Sequence, residues 1–403
     1  MNIAVVFDQK LVSGGGYQQS LNTLKLLKKI SKNKYNFIFF TTIFKNKIVF
    51  RREKIRLNYL KSSLILRILS HLRLNPKFQL LKIIIDLILP ISLLEIELSY
   101  KKIDLVYFVS PSNLATDLRT INFIFTIWDL CHLDHPEFPE IRKNNQFEIR
   151  ENLYNGVLKK AFRIIVDSKE VKNLVHNYYN VNEKRISCIS FEPNSNLDID
   201  ISPYFDDSQI EKKINELNYF LLYPAQYWPH KNHIYIIKAI KMLSEKSNID
   251  LAVVFTGSNK GNLAYLKDFA KEINIENKII FFNFVSNADL SRLYKKCTFV
   301  TMSSFFGPSN LPPLEGFKFG KPVLYPKIDS FIKQFNDAVI YIDLNNPNSM
   351  VEEIINLINN NYLLNLQVEK GYKFLKKKEE NNRLKVLDQI FSSFYKIRIC
   401  WKN

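Results

Sequence analysis

A chain of 403 residues is longer than one hydrophobic core usually organises, so two domains are expected. A composition of 46% hydrophobic residues with 31 Phe and 20 Tyr excludes an intrinsically disordered protein. The 57 Lys and Arg against 39 Asp and Glu leave a formal +18, an excess that attracts nucleic acid or an anionic membrane surface, part of it spread over solvated surface by a general bias towards Lys, Asn and Ile.

From the amino terminus, Met1 to Asp8 reaches an acid before a signal-type apolar region is complete and reads as a buried first strand, so export is not expected. Cys131, Cys188, Cys297 and Cys400 are too scattered for a disulfide framework or a C-x-x-C pair, which fits the reducing cytoplasm. Short β-rich runs alternate with helical stretches along the whole chain, the pattern of parallel α/β sheets. In the first half the predicted strands are Ile3–Phe7, Tyr35–Thr41, Leu105–Val109, Phe123–Ile127, Arg163–Val166 and Ile186–Ile189.

The stretch Lys45–Leu98 interrupts this alternation, being largely helical in pattern, with 11 Lys or Arg against four acids. Leu57, Leu60, Leu64, Ile65, Ile68, Leu69 and Leu72 form an apolar stripe beside arginines and lysines, which predicts a basic amphipathic helix. Two readings are equally compatible: a core-facing helix with a solvated basic face, and peripheral docking on an anionic membrane surface. The run Leu80–Leu94, interrupted by Lys82 and Asp86, is unsuited to spanning a bilayer.

Phe191–Tyr204, rich in Pro, Ser, Asn and Asp, separates the halves. The expected organisation is a first Rossmann-like domain at 1–195, a linker at 196–204, a second Rossmann-like domain at 205–381 and a C-terminal helix at 382–403. Leu384, Leu387, Ile390 and Phe391 in that helix have helical spacing, but the pattern does not say which domain they dock on. The second set of predicted strands is Phe220–Tyr223, Leu251–Phe255, Ile279–Phe282, Phe299–Met302, Pro322–Leu324 and Val339–Ile342.

Three segments carry chemistry. Gly14–Gly16 at the first strand-to-helix junction allow close backbone approach and leave N–H groups for an anion or sugar hydroxyl, or else form a plain flexible connection. Lys231, in Pro-His-Lys-Asn after the first strand of the second half, suits a diphosphate, although a lone loop lysine is more often merely solvated. The segment Gly307-Pro-Ser-Asn-Leu-Pro-Pro-Leu-Glu315-Gly-Phe-Lys-Phe-Gly320 is expected to enter a helix at Leu314-Glu315, with the carboxylate in the first turn accepting ribose hydroxyls; any single acid there could equally be a helix-start residue. His132 and His135 lie in a Pro-bounded loop without a ligand cluster, so no metal is expected, and neither a nucleophile elbow nor a P-loop is present. The aromatic residues fall in strands rather than in a basic groove and no nucleic-acid motif occurs, so nucleic acid is not an expected partner.

Gly307–Gly320 with Pro322-Val323 resembles the donor-site motif of the retaining family 4 glycosyltransferases. The resemblance extends in order to Lys231, to Gly14–Gly16, to Asp129 in Phe-Thr-Ile-Trp-Asp-Leu-Cys-His, to Asp167-Ser168, and to the stretch Asn287–Cys297 before the motif strand. It implies the GT-B fold, with two parallel sheets facing across a cleft. It further implies that Glu315 binds the nucleotide ribose, that Lys231 and Gln226 meet the donor diphosphate, and that Gly307, Asn310 and Leu311 line the phosphate and sugar. Gly15, Gly16 and Trp128 would line the acceptor side, and Asp129 would stand with Lys231 at the reacting centre. Three positions depart from the family pattern. Gly307 replaces the first acid of a Glu-x7-Glu pair, Ala225-Gln226 replaces Gly-Arg, and Trp128 replaces a His, although some members building bacterial surface polysaccharides are similar in having Gly-Pro-x-Asn here. The resemblance thus implies a retaining, metal-independent hexosyltransferase using a nucleotide-sugar donor and no cofactor. Its acceptor would be a glycan or lipid-linked glycan, handled in the cytoplasm or at the inner face of the cytoplasmic membrane. The alternative is a non-catalytic sugar-nucleotide or glycan-binding protein.

Overall fold

Runs such as Ile3–Val6 and Leu251–Thr256 are buried at every residue, as strands covered by helices on both faces must be. The computed structural model describes residues 1–10, 14–30, 34–52, 54–60, 63–88, 92–202, 208–307, 310–379 and 383–401. It divides into two compact units, Met1–Phe191 with Asn382–Asn403, and Glu192–Asn381.

The first unit holds a parallel sheet of β1 (Asn2–Val6), β2 (Asn36–Thr41), β3 (Asn58–Tyr59), β4 (Leu105–Phe108), β5 (Asn122–Thr126), β6 (Arg163–Val166) and β7 (Ile186–Cys188), in the order β3-β2-β1-β4-β5-β6-β7. Alternation puts Ala4, Val6, Val106 and Phe108 into one core layer and Ile3, Val5, Leu105 and Tyr107 into the other. Chain order reverses between β1 and β4, so the crevice beyond their carboxyl ends is the place where such sheets bind ligands.

In the second unit β8 (Tyr219–Tyr223), β9 (Leu251–Thr256), β10 (Ile279–Phe282), β11 (Phe299–Thr301), β12 (Val323–Pro326) and β13 (Ile340–Ile342) form a parallel sheet in the order β10-β9-β8-β11-β12-β13. Its order reverses between β8 and β11. All twelve predicted strands are present with ends displaced by at most two residues, and β3 is an addition within the stretch read as helical.

Two features differ from the sequence expectations, and a third that they left open is decided. Residues 192–195, expected in the first domain, and 196–202, expected as a linker, belong to the second unit, because the Asn194 N–H donates to Glu315 Oε1 at 3.3 Å, Asp198 N–H to Ser291 Oγ at 3.0 Å and Lys318 Nζ to Leu197 O at 2.5 Å; residues 203 and 204 lie outside the described residues. The C-terminal helix, Arg383–Arg398, docks on the first unit. Its Phe391 meets the rings of Tyr35, Phe37 and Tyr107, and Arg398 pairs with Asp104 at 3.0 Å.

The predicted apolar stripe does not form one buried face. Leu57 and Leu60 are buried around β3, whereas Leu64, Ile65 and Ile68 of the helix Ser63–Leu74 are exposed. Among the described residues no helix is long and apolar enough to cross a membrane.

Candidate functional site

At the reversal point of the second sheet, two loops meet. The loop after β8 ends in a tight turn, Pro229–Lys231, and Asn232 adopts the left-handed conformation before the helix His233–Lys246. Tyr223 Oη donates to Lys231 O at 2.7 Å and Ser303 Oγ to Asn232 O at 2.8 Å, which pins this turn to the sheet. Lys231 Nζ then donates to Asn310 Oδ1 at 3.1 Å and to Ser304 Oγ at 3.4 Å, both in the segment after β11. Asn310 is held in turn, its Nδ2 donating to Gly307 O and to Tyr325 Oη, each at 2.6 Å. Lys231, Gly307 and Asn310 are therefore brought together. Gln226 instead accepts from Trp228 Nε1 at 2.9 Å.

The helix expected to begin at Leu314-Glu315 begins at Leu311 and runs to Lys318. Pro312 and Pro313 fall in its first turn because their fixed φ suits it and the N–H they lack is one a helix start leaves unbonded. Of the four amide positions at a helix start, two remain as donors, those of Asn310 and Leu311, and neither donates to another described residue. An anion beside Lys231 would find them.

Glu315 consequently lies one turn into the helix rather than in its first turn. Its carboxylate is buried, with Oε2 accepting from Tyr294 Oη at 2.6 Å and Oε1 from the Asn194 N–H at 3.3 Å. Burial raises its pKa, against the opposing pull of these two donors and of Lys318. Each oxygen retains a further lone pair for a ligand hydroxyl. Gly307 has φ +114°, and a Cβ there would lie 3.0 Å from Asn310 Oδ1. The missing acid of the motif is thus a position with backbone and contacts suited to glycine.

In the first unit, Gly15 opens the helix Gly15–Leu27 and is exposed, while a Cβ on Gly16 would lie 2.5 Å from the Trp128 ring. Gly16 is therefore matched to the indole that replaces the expected histidine. Asp129, after β5, forms an ion pair with Arg150 of the helix Gln146–Val157 and accepts from the Cys131 N–H at 3.1 Å. Burial works against its ionisation, but the Arg150 guanidinium outweighs that and holds the carboxyl below its ordinary pKa. His132 is buried with Nε2 2.9 Å from Glu151 Oε1 and its ring against Phe147 and Tyr154. Among the described residues no three His, Cys, Asp or Glu side chains converge as a metal site.

The sequence reading passed over Asp8, Arg150, Tyr294 and Tyr325. Asp8 sits at the reversal point of the first sheet, accepting from Ser110 Oγ at 3.1 Å and Ser112 Oγ at 2.5 Å, and burial raises its pKa. One signal was available: Asp8 and Ser110 each lie two residues past the ends of neighbouring strands. Arg150 and Tyr325 carry no motif and are recruited only by folding, whereas Tyr294 lies within the motif-like stretch Asn287–Cys297 without having been singled out in it.

Residues 205–374 match the family described as Glycosyl transferases group 1. The O-antigen chain mannosyltransferase RfbU of Salmonella typhimurium is 26% identical over 200 residues, covering 50% of this chain and 52% of that protein. An uncharacterized glycosyltransferase of Methanocaldococcus jannaschii is 25% identical over 199 residues, 47% of this chain and 48% of that one. The chain spans about half the length of the curated relatives it matches. Solved structures match it along almost all of its length. A glycosyltransferase from Rickettsia africae has a TM-score of 0.67 at 16% identity, covering 98% of both chains. Anabaena Alr3699/HepE in complex with UDP-glucose has 0.67 at 13%, covering 98% of this chain and 100% of its own. WaaG, a glycosyltransferase involved in lipopolysaccharide biosynthesis, has 0.66 at 13%, covering 97% and 99%. At such identities these likenesses show the fold, which is GT-B.

Proposed function

We propose that this chain, whose residues 205–374 match the Glycosyl transferases group 1 family, moves a hexose from a nucleotide-diphosphate sugar to a hydroxyl of a glycan or lipid-linked glycan, with retention of anomeric configuration. The observation that carries this reading is the contact of Lys231 with Asn310 at the sheet reversal point, beside the two remaining amide donors of the helix start. In the proposed reaction these groups stabilise charge on the departing diphosphate, and Glu315 accepts ribose hydroxyls. The bond from the anomeric carbon to the diphosphate breaks while the acceptor oxygen attacks from the same face, and the hydroxyl proton passes to a diphosphate oxygen. This front-face course follows from the family resemblance.

Asp129, held ionised by Arg150, has the role of orienting hydroxyls near the reacting centre, and Gly15, Gly16 and Trp128 contribute the acceptor side. Gln226 and Gly307 complete the donor side. The names of two similar proteins, an O-antigen chain mannosyltransferase and a glycosyltransferase involved in lipopolysaccharide biosynthesis, support an acceptor from bacterial surface polysaccharide assembly. A nucleotide-sugar panel scored by thermal shift and released nucleotide tests this. One donor is expected to turn over, with Lys231→Ala lowering kcat about 10²–10³-fold, as loss of one transition-state charge donor does, and Glu315→Ala weakening donor binding. Binding without turnover across the panel would favour a non-catalytic binding protein, and donor binding unchanged in both variants would sink the site assignment.

A further inference from the structure

The helix Ser63–Leu74 buries one side and leaves a second, apolar side outside. Leu66, Ser70 and Arg73, spaced along one face, point inward, and Arg73 forms a buried ion pair with Asp117. The other oxygen of Asp117 accepts from Ser92 Oγ at 2.7 Å, and Asn152 Nδ2 donates to Leu74 O at 2.7 Å. These bonds fix which side of the helix meets the first unit.

The side left outside carries Leu64, Ile65 and Ile68, each more than half exposed. The next helix, Gln79–Ile88, packs against it and leaves Leu80 79%, Ile84 51% and Leu87 81% exposed, at the i, i+4, i+7 spacing of one face. An apolar surface contributed by two adjacent helices is a binding surface in a stable protein.

Charge selects its occupant. Between Phe44 and Ile88 the sequence has 11 Lys or Arg and two acids, and Arg67 and Lys77 of this region are exposed. A second copy would bring the same positive field against itself, whereas an anionic bilayer complements both the charge and the apolar face. We propose that Ser63–Leu74 and Gln79–Ile88 form an interfacial anchor lying in the plane of an anionic phospholipid surface, with the six leucines and isoleucines below the headgroups and Arg67 and Lys77 at phosphate level. At 12 and 10 residues neither helix is long enough to span. Asp117, the partner of Arg73, closes the turn Asn113–Asp117 that follows β4, so the anchor adjoins the carboxyl edge of the first sheet. An acceptor carried in the same lipid arrives at that edge.

The test is co-sedimentation of the full chain with phosphatidylcholine vesicles, with and without phosphatidylglycerol. Binding is expected only with the anionic lipid and weakens as salt rises. The triple variant Leu80→Asp, Ile84→Asp, Leu87→Asp is expected to lose it, and Arg67→Gln with Lys77→Gln to weaken it roughly 25-fold, about fivefold for each cation. The charge pair alters exposed side chains and provides a second readout if the apolar triple fails to fold. Turnover of the donor onto a water-soluble acceptor stays unchanged in the triple variant, which separates failure of the anchor from failure of the proposed activity. Equal binding to both vesicles, no binding, or binding that survives the triple variant overturns the anchor. So does a lipid-free dimer that the triple variant converts to monomer, since that would make the face a contact between copies.

Discussion

Gly307 stands where the family pattern has an acid, and its backbone explains the exchange. At φ +114° with Asn310 close by, any side chain incurs strain of about 1–3 kcal/mol. Gly307→Glu is therefore expected to lower the thermal midpoint without raising turnover for any donor in the panel; higher turnover at undiminished stability would contradict this. Glu315 makes the opposite case, a carboxyl whose burial raises its pKa in the folded chain. The folded state then binds more protons than the unfolded one over the interval between their pKa values, so the contribution of Glu315 to stability is present at low pH and lost as pH rises through the folded value. Denaturant unfolding of Glu315→Gln across acidic to neutral pH should show the variant gaining on the wild type as pH rises, with a flat difference refuting the raised pKa. The same substitution is expected to weaken donor binding, as the proposed ribose contact requires.

Individual elements were legible where their signal was local. Pro312 and Pro313 marked the helix of the motif, but its first residue was misjudged because the prolines belong inside the first turn. The C-terminal helix announced an apolar face by its spacing and gave no address, since periodicity says which residues share a face and not what covers it. The address is a ring cluster around Phe391 in the first unit, so Phe391→Ala is expected to cost about 3–5 kcal/mol in urea unfolding. An unchanged midpoint would mean that the helix does not dock there. The helix Ser63–Leu74 shows the same ambiguity in its strongest form, because Leu64, Ile65 and Ile68 of its predicted stripe turned outward and Arg73 inward.

At the scale of the whole molecule, alternating apolar runs and helical stretches determined a two-unit α/β chain, and the Lys231 and Gly307–Gly320 motifs carried the family resemblance. Both signals are short-range: strand burial on two faces is written in consecutive residues, and a helix start in its prolines and glycines. Tertiary structure alone decided that Lys231 meets Asn310, that Arg150 holds Asp129 ionised, that Tyr294 and Asn194 occupy Glu315, and that residues 192–202 join the second unit. Each of these pairs residues far apart in the chain or depends on which face of an element turns inward. That choice is made by the summed packing of all the elements, and no local pattern encodes it.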